Sequence, residues 1–162
     1  MISFWDESYP PLLKQIHDPP ALLYVRGNVP EQDAFAIVGS RRATPGGLQI
    51  TREISAELAS RGITIVSGLA RGIDTAAHIG ALDASGSTVA VLGCGIDRVY
   101  PPENSRLFHR ILEKNAIISE LPPGAPPLAG HFPGRNRIIS GLSDGVLIVE
   151  SADGSSSLIT SD

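Results

Sequence analysis

The sequence is short of cysteine, lysine, aromatic rings and long apolar runs, and each shortage excludes something. A single cysteine, Cys94, rules out an internal disulfide, and nothing in the chain reads as secreted. No apolar run approaches the roughly 20 residues that a membrane-spanning helix needs. The opening MISFWDESYPP carries acids where a signal peptide has basic residues ahead of an apolar stretch, so the cytoplasm is the expected location. The only lysines, Lys14 and Lys114, are followed by Gln and Asn. The GxxxxGK[ST] phosphate loop is therefore absent, and a Walker-type ATPase with it. Aromatic residues make up only 5% of the chain.

What is present is a chain of 162 residues with 42% hydrophobic content, enough for one domain with a real core. Its net charge of −4 counts against a generally sticky nucleic-acid binder. Yet eleven of the thirteen basic residues are Arg. A guanidinium grips phosphate as a planar fork, whereas an ammonium is a point charge. Genomic composition also produces an Arg excess, so placement has to decide.

Residues 1–33 read as a Pro-rich lead-in, with a docked turn of helix and an edge strand. Residues 34–162 read as one Rossmann-like domain. The runs FAIV (35–38), ITIV (63–66), TVAVL (88–92), AIIS (116–119) and GVLIV (145–149) are short and rich in β-branched residues. Such continuous runs suit strands buried on both faces of a parallel sheet. Between them, Thr44 caps a helix with Pro45 at its first position, ending at Gly62. Asp74 to Leu82 is an Ala-rich helix, and Leu107, Phe108, Ile111 and Leu112 share one face of a third. Alternation of this kind with right-handed crossovers predicts a doubly wound, Rossmann-like, mostly parallel α/β sheet.

The segments that follow the strands are GSRRAT, SGLARGID, GCGIDRVYPPEN, SELPPGAPP and ESADGSSS. Ligands of open α/β sheets bind outside the carboxyl ends of the strands, so all five converge on one rim. A dinucleotide site would need GxGxxG after the first strand, where GSRRATPGG stands; GCGIDR has Arg98 in place of the third glycine. GLSDG (141–145) matches GxSxG, but it precedes a strand instead of following one, and no histidine comes after Ser143. It reads as a turn. His17, His78, His109 and His131 lack metal-ligand spacing with any acid or cysteine. His78 reads as a core histidine and Cys94 as a small packing residue. Glu120 and Glu150 end strands at the rim, where a carboxylate can serve as a general base; with no nucleophile nearby, the stronger reading is of carboxylates holding loop amides or an arginine.

A phosphate-binding rim fits better. Gly39, Ser40 and Arg41 follow the first strand, and Arg71 with Gly72 follow the second. Glycines allow close backbone approach, and helix N-termini offer oriented amides. FPGRNR sets Phe132 beside Arg135, Asn136 and Arg137, a ring to stack a base next to arginines for a backbone. At least one of Arg135 and Arg137 is expected to pair with Glu120 or Glu150.

The ordered set YPPLLKQIHDPPALLYVRG, AIVGSRRAT, SGLARGIDTAAHIGAL, VAVLGCGIDRVYPPEN, ISELPPG, FPGRNRIISGLS and SSSLIT resembles the DNA-processing protein A family (DprA, also called Smf). The resemblance runs through nearly the whole chain from Tyr9. It implies a protein that is not an enzyme and has no cofactor. Such a protein binds and shields single-stranded DNA during natural transformation and helps load a RecA-type recombinase. Homodimerisation of the full-length protein is implied too. Carried over, the DNA site comprises Gly39, Ser40, Arg41, Arg71, Gly72, Phe132, Arg135, Asn136 and Arg137. Because SSSLIT runs into Ser161-Asp162 and stops, the domain is expected to lack its closing helix and strand. A weaker alternative is an enzyme of the LOG (Lonely Guy) phosphoribohydrolase type. PGGLQ (45–49) shares three letters with the PGGxGTxxE motif of those enzymes, but lacks its Gly-Thr and acid. A small-nucleotide sensor is a third reading.

Overall fold

In the computed structural model the described residues are 1–150; the SSSLIT stretch and the rim segment beyond Glu150 lie outside them. Each of the five apolar runs becomes a parallel strand: β3 (Ala34–Gly39), β4 (Thr64–Ser67), β5 (Thr88–Val91), β6 (Ala116–Ser119) and β7 (Gly145–Val149). Two more strands come from the first thirty-three residues, β1 (Ile2–Ser3) and β2 (Leu22–Gly27). The seven-stranded sheet has the order β1-β2-β6-β5-β4-β3-β7, with β2 antiparallel to β6. The lead-in thus extends the sheet, and its one-turn 3-10 helix at Leu13–Gln15 docks with Tyr9 and Leu13 in the core.

Helices cover both faces. α1 (Pro45–Ser60), α2 (Ile73–Asp83) and α3 (Ser105–Leu112) pack on one side, against Ile37, Ile65, Ala90 and Ile117. On the other side, α4 (His131–Gly141) sets Ile138 and Ile139 against Ala36, Val38, Val66, Val89, Val91 and Ile118. Neighbours along each strand therefore serve opposite faces, the period-two pattern of a pleated sheet buried twice. α1 begins where Thr44 predicts: the Thr44 hydroxyl accepts the Gly47 amide at 3.1 Å, with Pro45 in the first turn. The helix α4 was not among the three that the sequence predicts. Pro133 and Gly134 disguise it, yet a proline in a first turn removes no intrahelical hydrogen bond.

Strands β3 to β6 step across the sheet in one direction, and β7 returns to the far side of β3. The topological switch lies between β3 and β7, and the loops leaving β3, β4, β5 and β7 share one rim. GLSDG closes the chain into β7: the Ser143 hydroxyl donates to the Ile139 carbonyl at 2.9 Å, and Asp144 bonds the backbone of Ala34. No helix among the described residues is long and apolar enough to cross a membrane.

His78 is sealed in the core on α2. The Thr88 hydroxyl donates to the Ile65 carbonyl (2.7 Å), so it accepts from His78 Nδ1 (2.7 Å), which fixes the tautomer. Nε2 has no hydrogen-bond partner among the described residues. Burial, helped by the charge of Arg135, lowers the His78 pKa from 6.5 to about 3. Below pH 6.5 the unfolded chain takes up a proton here that the folded chain refuses, so stability falls with pH in that window. The slope approaches about 1.4 kcal/mol per pH unit. Urea unfolding of wild type and His78→Gln between pH 7 and pH 4 checks this: the wild-type curve should be the steeper, and parallel curves contradict the assignment.

Candidate nucleic-acid interface

The carboxyl ends of β3, β4 and β5 open into a cleft lined by Arg41, Gly68, Arg71, Gly93, Tyr100 and Phe132, among others. Phe132, in the first turn of α4, lies on the backbone of Gly93; a Cβ at Gly93 would come within 2.9 Å of the ring. The Arg41 guanidinium lies 5.3 Å from the ring centroid, that of Arg135 lies 5.4 Å away, and Tyr100 packs at 5.9 Å. Aromatic faces attract guanidinium groups through their quadrupole, so ring and arginines orient one another.

The stretch Ser67 to His78 is held from inside. Asp74, 4% exposed, accepts the Gly68 amide at 3.1 Å, and the amides of Ala70 and Gly39 also bond its carboxylate. Burial raises its pKa, opposed by the charge of Arg135 and by those three amides. The loops leaving β3 and β4 meet at Gly72, whose φ of 76° suits glycine and whose Cβ would strike the Ser40 carbonyl at 2.2 Å. The Ile73 amide bonds that same carbonyl at 3.1 Å. Hence Gly39 and Gly72 serve backbone contact inside the protein, and the amides of Gly39, Gly68 and Ala70 face a carboxylate of the chain itself. Arg41, Arg42 and Arg71 are the arginines the two loops leave exposed, and of these Arg41 and Arg71 line the cleft.

The helix α4 separates the residues of FPGRNR. Arg135 is 6% exposed and points under the cleft, where it donates to the carbonyls of Gly68 (2.7 Å) and Val91 (2.8 Å) and to Asn136 Oδ1 (3.0 Å). Asn136 is itself buried. Arg137 turns away from the cleft: it forms a double hydrogen bond with Glu120 (2.9 and 2.6 Å) and reaches Asp18 in the N-terminal segment. The pairing with Glu120 expected of Arg135 or Arg137 thus falls to Arg137. Glu150 has another partner. Leaving β7 with a φ of 53°, it accepts the Thr44 amide at 2.7 Å and the Thr44 hydroxyl, against the first turn of α1. These bonds hold its pKa below the usual range.

The structure thus brings Arg41, Arg71 and Phe132 to the cleft and sets Arg135, Asn136 and Arg137 beneath or beside it. Sequence reasoning missed Asp74 as the holder of the loop amides, and it missed Tyr100, Glu103 and Asn104. Asn104 donates to the Leu69 carbonyl and the Thr75 hydroxyl, both at 2.9 Å, and Glu103 pairs with Arg71. The only available signal was the position of VYPPEN on the rim. Cys94 also lines the cleft, but burial pushes its thiol pKa up. Among the described residues no group of three or more His, Cys, Asp or Glu is placed to hold a metal ion.

The family described as DNA recombination-mediator protein A matches the chain over residues 1–162. Protein Smf of Synechocystis is 47% identical over an alignment of 161 residues that covers 96% of this chain and 40% of that protein. The X-ray structure of DNA processing protein A from Streptococcus pneumoniae superposes with a TM-score of 0.95 at 44% identity, over 99% of this chain and 57% of that one. The DNA processing protein A of Helicobacter pylori, whose structure concerns its single-stranded DNA binding mode, gives 0.87 at 34% identity, over 95% and 72%. The chain spans about half the length of the curated relatives it matches, such as the Smf protein of Synechocystis (40%) and the DNA processing protein of Streptococcus pneumoniae (56%).

Truncating Arg135 leaves two buried carbonyls without their donor and removes the charge facing Asp74. Arg135→Ala should lose about 3 kcal/mol or more in urea unfolding. Arg135→Lys should not restore it, because an ammonium cannot reproduce the fork. A stable Arg135→Ala variant would contradict this placement.

Proposed function

The chain belongs to the DNA recombination-mediator protein A family, and from that premise we propose that it binds single-stranded DNA across the rim cleft. In this reading it is a mediator without catalytic activity, shielding incoming strands during natural transformation and helping to load a RecA-type recombinase, with the full-length protein acting as a homodimer. The observation that carries the DNA assignment is the cluster of Phe132, Tyr100 and Arg41 over a glycine-lined backbone, next to Arg71. Rings that stack bases beside guanidiniums that hold phosphates make a platform for an unpaired strand. The DNA binding of the Helicobacter pylori relative supports the same reading. A role without chemistry is supported by the state of the candidate groups: the Cys94 thiol is held protonated, His78 is sealed in the core, and the Ser143 hydroxyl bonds backbone in a turn.

Fluorescence anisotropy with labelled oligo-dT tests the assignment. Affinity should fall steeply with salt as phosphates release counterions. Phe132→Ala should weaken binding by about 5- to 100-fold while leaving the salt slope unchanged, because stacking moves no ions. Arg41→Ala should reduce the slope by about 0.7, the share of one phosphate contact on a single strand. Binding indifferent to salt, or equal for wild type and both variants, overturns the reading.

A further inference from the structure

Two arginines reach the cleft, and they are not equivalent. Among the described residues no carboxylate lies within ion-pair distance of Arg41. Arg71, by contrast, is hydrogen-bonded through Nε to a carboxylate oxygen of Glu103, and the two side chains are 52% and 51% exposed. This bond holds the Glu103 pKa below the usual carboxylate range.

Glu103 is not a wandering surface acid. It sits in the one-turn 3-10 helix Pro102–Asn104, preceded by Pro101, which lines the cleft. The neighbouring Asn104 is buried and pins that turn to the loop bearing Arg71, through the Leu69 carbonyl and the Thr75 hydroxyl. Leu69 itself holds a φ of 59°, a left-handed conformation that the Asn104 contact secures. The same turn that fixes the shape of the Arg71 loop therefore delivers a carboxylate onto Arg71. Elsewhere in the chain an Arg–Glu pair of clear structural purpose looks different. Arg137 with Glu120 is more buried and carries a further contact to Asp18.

Carboxylate and phosphate oxygens seek the same guanidinium edges. We propose that Glu103 is an internal competitor for the strand's phosphate at Arg71, and that its carboxylate sets how tightly the cleft holds DNA. The inference rests on the single-stranded DNA reading above. An exposed ion pair contributes little net stability, so a phosphodiester already anchored at Arg41 and Phe132 displaces Glu103. The displaced carboxylate then takes up a cation as the phosphate gives one up, and Arg71 adds nothing to the salt slope. The consequence is a strand held strongly enough to be protected yet released quickly, since affinity differences of this kind reside mainly in the dissociation rate.

The test uses Glu103→Gln, which keeps the shape of the side chain and leaves the Asn104 anchors in place, with oligo-dT binding and stopped-flow dissociation as readouts. Glu103→Gln should bind about two- to fivefold more tightly, through slower dissociation. Its salt slope should steepen by about 0.7, because Arg71 then counts as a contact of its own. In an Arg71→Ala background the same substitution should change neither quantity. The inference is overturned by equal or weaker binding of Glu103→Gln, or by the same tightening without Arg71, which would mark a general charge effect. A wild-type chain that shows no salt-dependent binding instead removes the DNA reading itself, so the two failures are distinguishable.

Discussion

The rim depends on two opposite charges buried beneath it. Asp74 gathers the amides of Gly39, Gly68 and Ala70, and Arg135 takes the carbonyls of Gly68 and Val91. One charged group satisfies donors and the other acceptors, from loops that leave three neighbouring strands. Strand ends are where a parallel sheet runs out of ladder partners, and buried backbone groups there must still be paired. Each charge is expensive to bury, and the attraction between them and their hydrogen bonds offset only part of that cost, so burial still raises the Asp74 pKa and lowers that of Arg135. Arg135 also approaches the ring of Phe132, so the same buried charge supports the face that lines the cleft.

That constraint explains which parts of the protein were legible in the sequence. The five parallel strands and three of the helices follow from local pattern: β-branched runs, a Thr-Pro start at Thr44 and Pro45, and apolar spacing at Leu107, Phe108 and Ile111. These signals are local because each strand or helix is buried by its neighbours in a regular way. The helix α4 was hidden since its first turn carries Pro133 and Gly134, while its packing face is reduced to Ile138 and Ile139 with the buried Arg135 and Asn136. A helix whose buried face is partly polar has no clean apolar stripe to read.

The site was legible as a place but not as a division of labour. Sequence reasoning took Arg41 and Arg71 from the strand ends and Phe132 from FPGRNR, and all three line one cleft. It placed Arg135 and Arg137 alongside them, because sequence adjacency in FPGRNR cannot say which way each side chain leaves a helix. Arg135 follows Phe132 by three residues and shares its side of α4, beneath the ring; Arg137 falls on another face, toward Glu120 and Asp18. The contacts of Asp74, Glu103 and Asn104 each join chain segments far apart in sequence or turn a helix's first acid inward, and neither leaves a local signature.

The Rossmann-like sheet offers anions two helix N-termini at this rim, those of α1 and α2, and here groups of the chain itself meet both: the Glu150 carboxylate at α1, and at α2 the carbonyls of Ser40 and Ala70, which take the amides of Ile73 and Thr75. Glu150 lies on the first turn of α1, bonded to Thr44, and Gly47 must lack a side chain for it to fit: a Cβ there would come within 2.5 Å of the carboxylate. Asp74, in the first turn of α2, turns back onto the loop amides. In a mononucleotide site those amides would be held open for the phosphate. With them occupied, what the cleft has left to offer a ligand is side chains: the rings of Phe132 and Tyr100 and the guanidiniums of Arg41 and Arg71. Amides of a helix terminus grip one phosphate in one place, whereas rings and flexible guanidiniums tolerate a succession of bases and phosphates. On the proposed function, the internal carboxylates favour an extended strand over a nucleotide cofactor. The pairing of Glu103 with Arg71 extends the same principle to the outer surface, where the proposed competition with phosphate would displace the occupant.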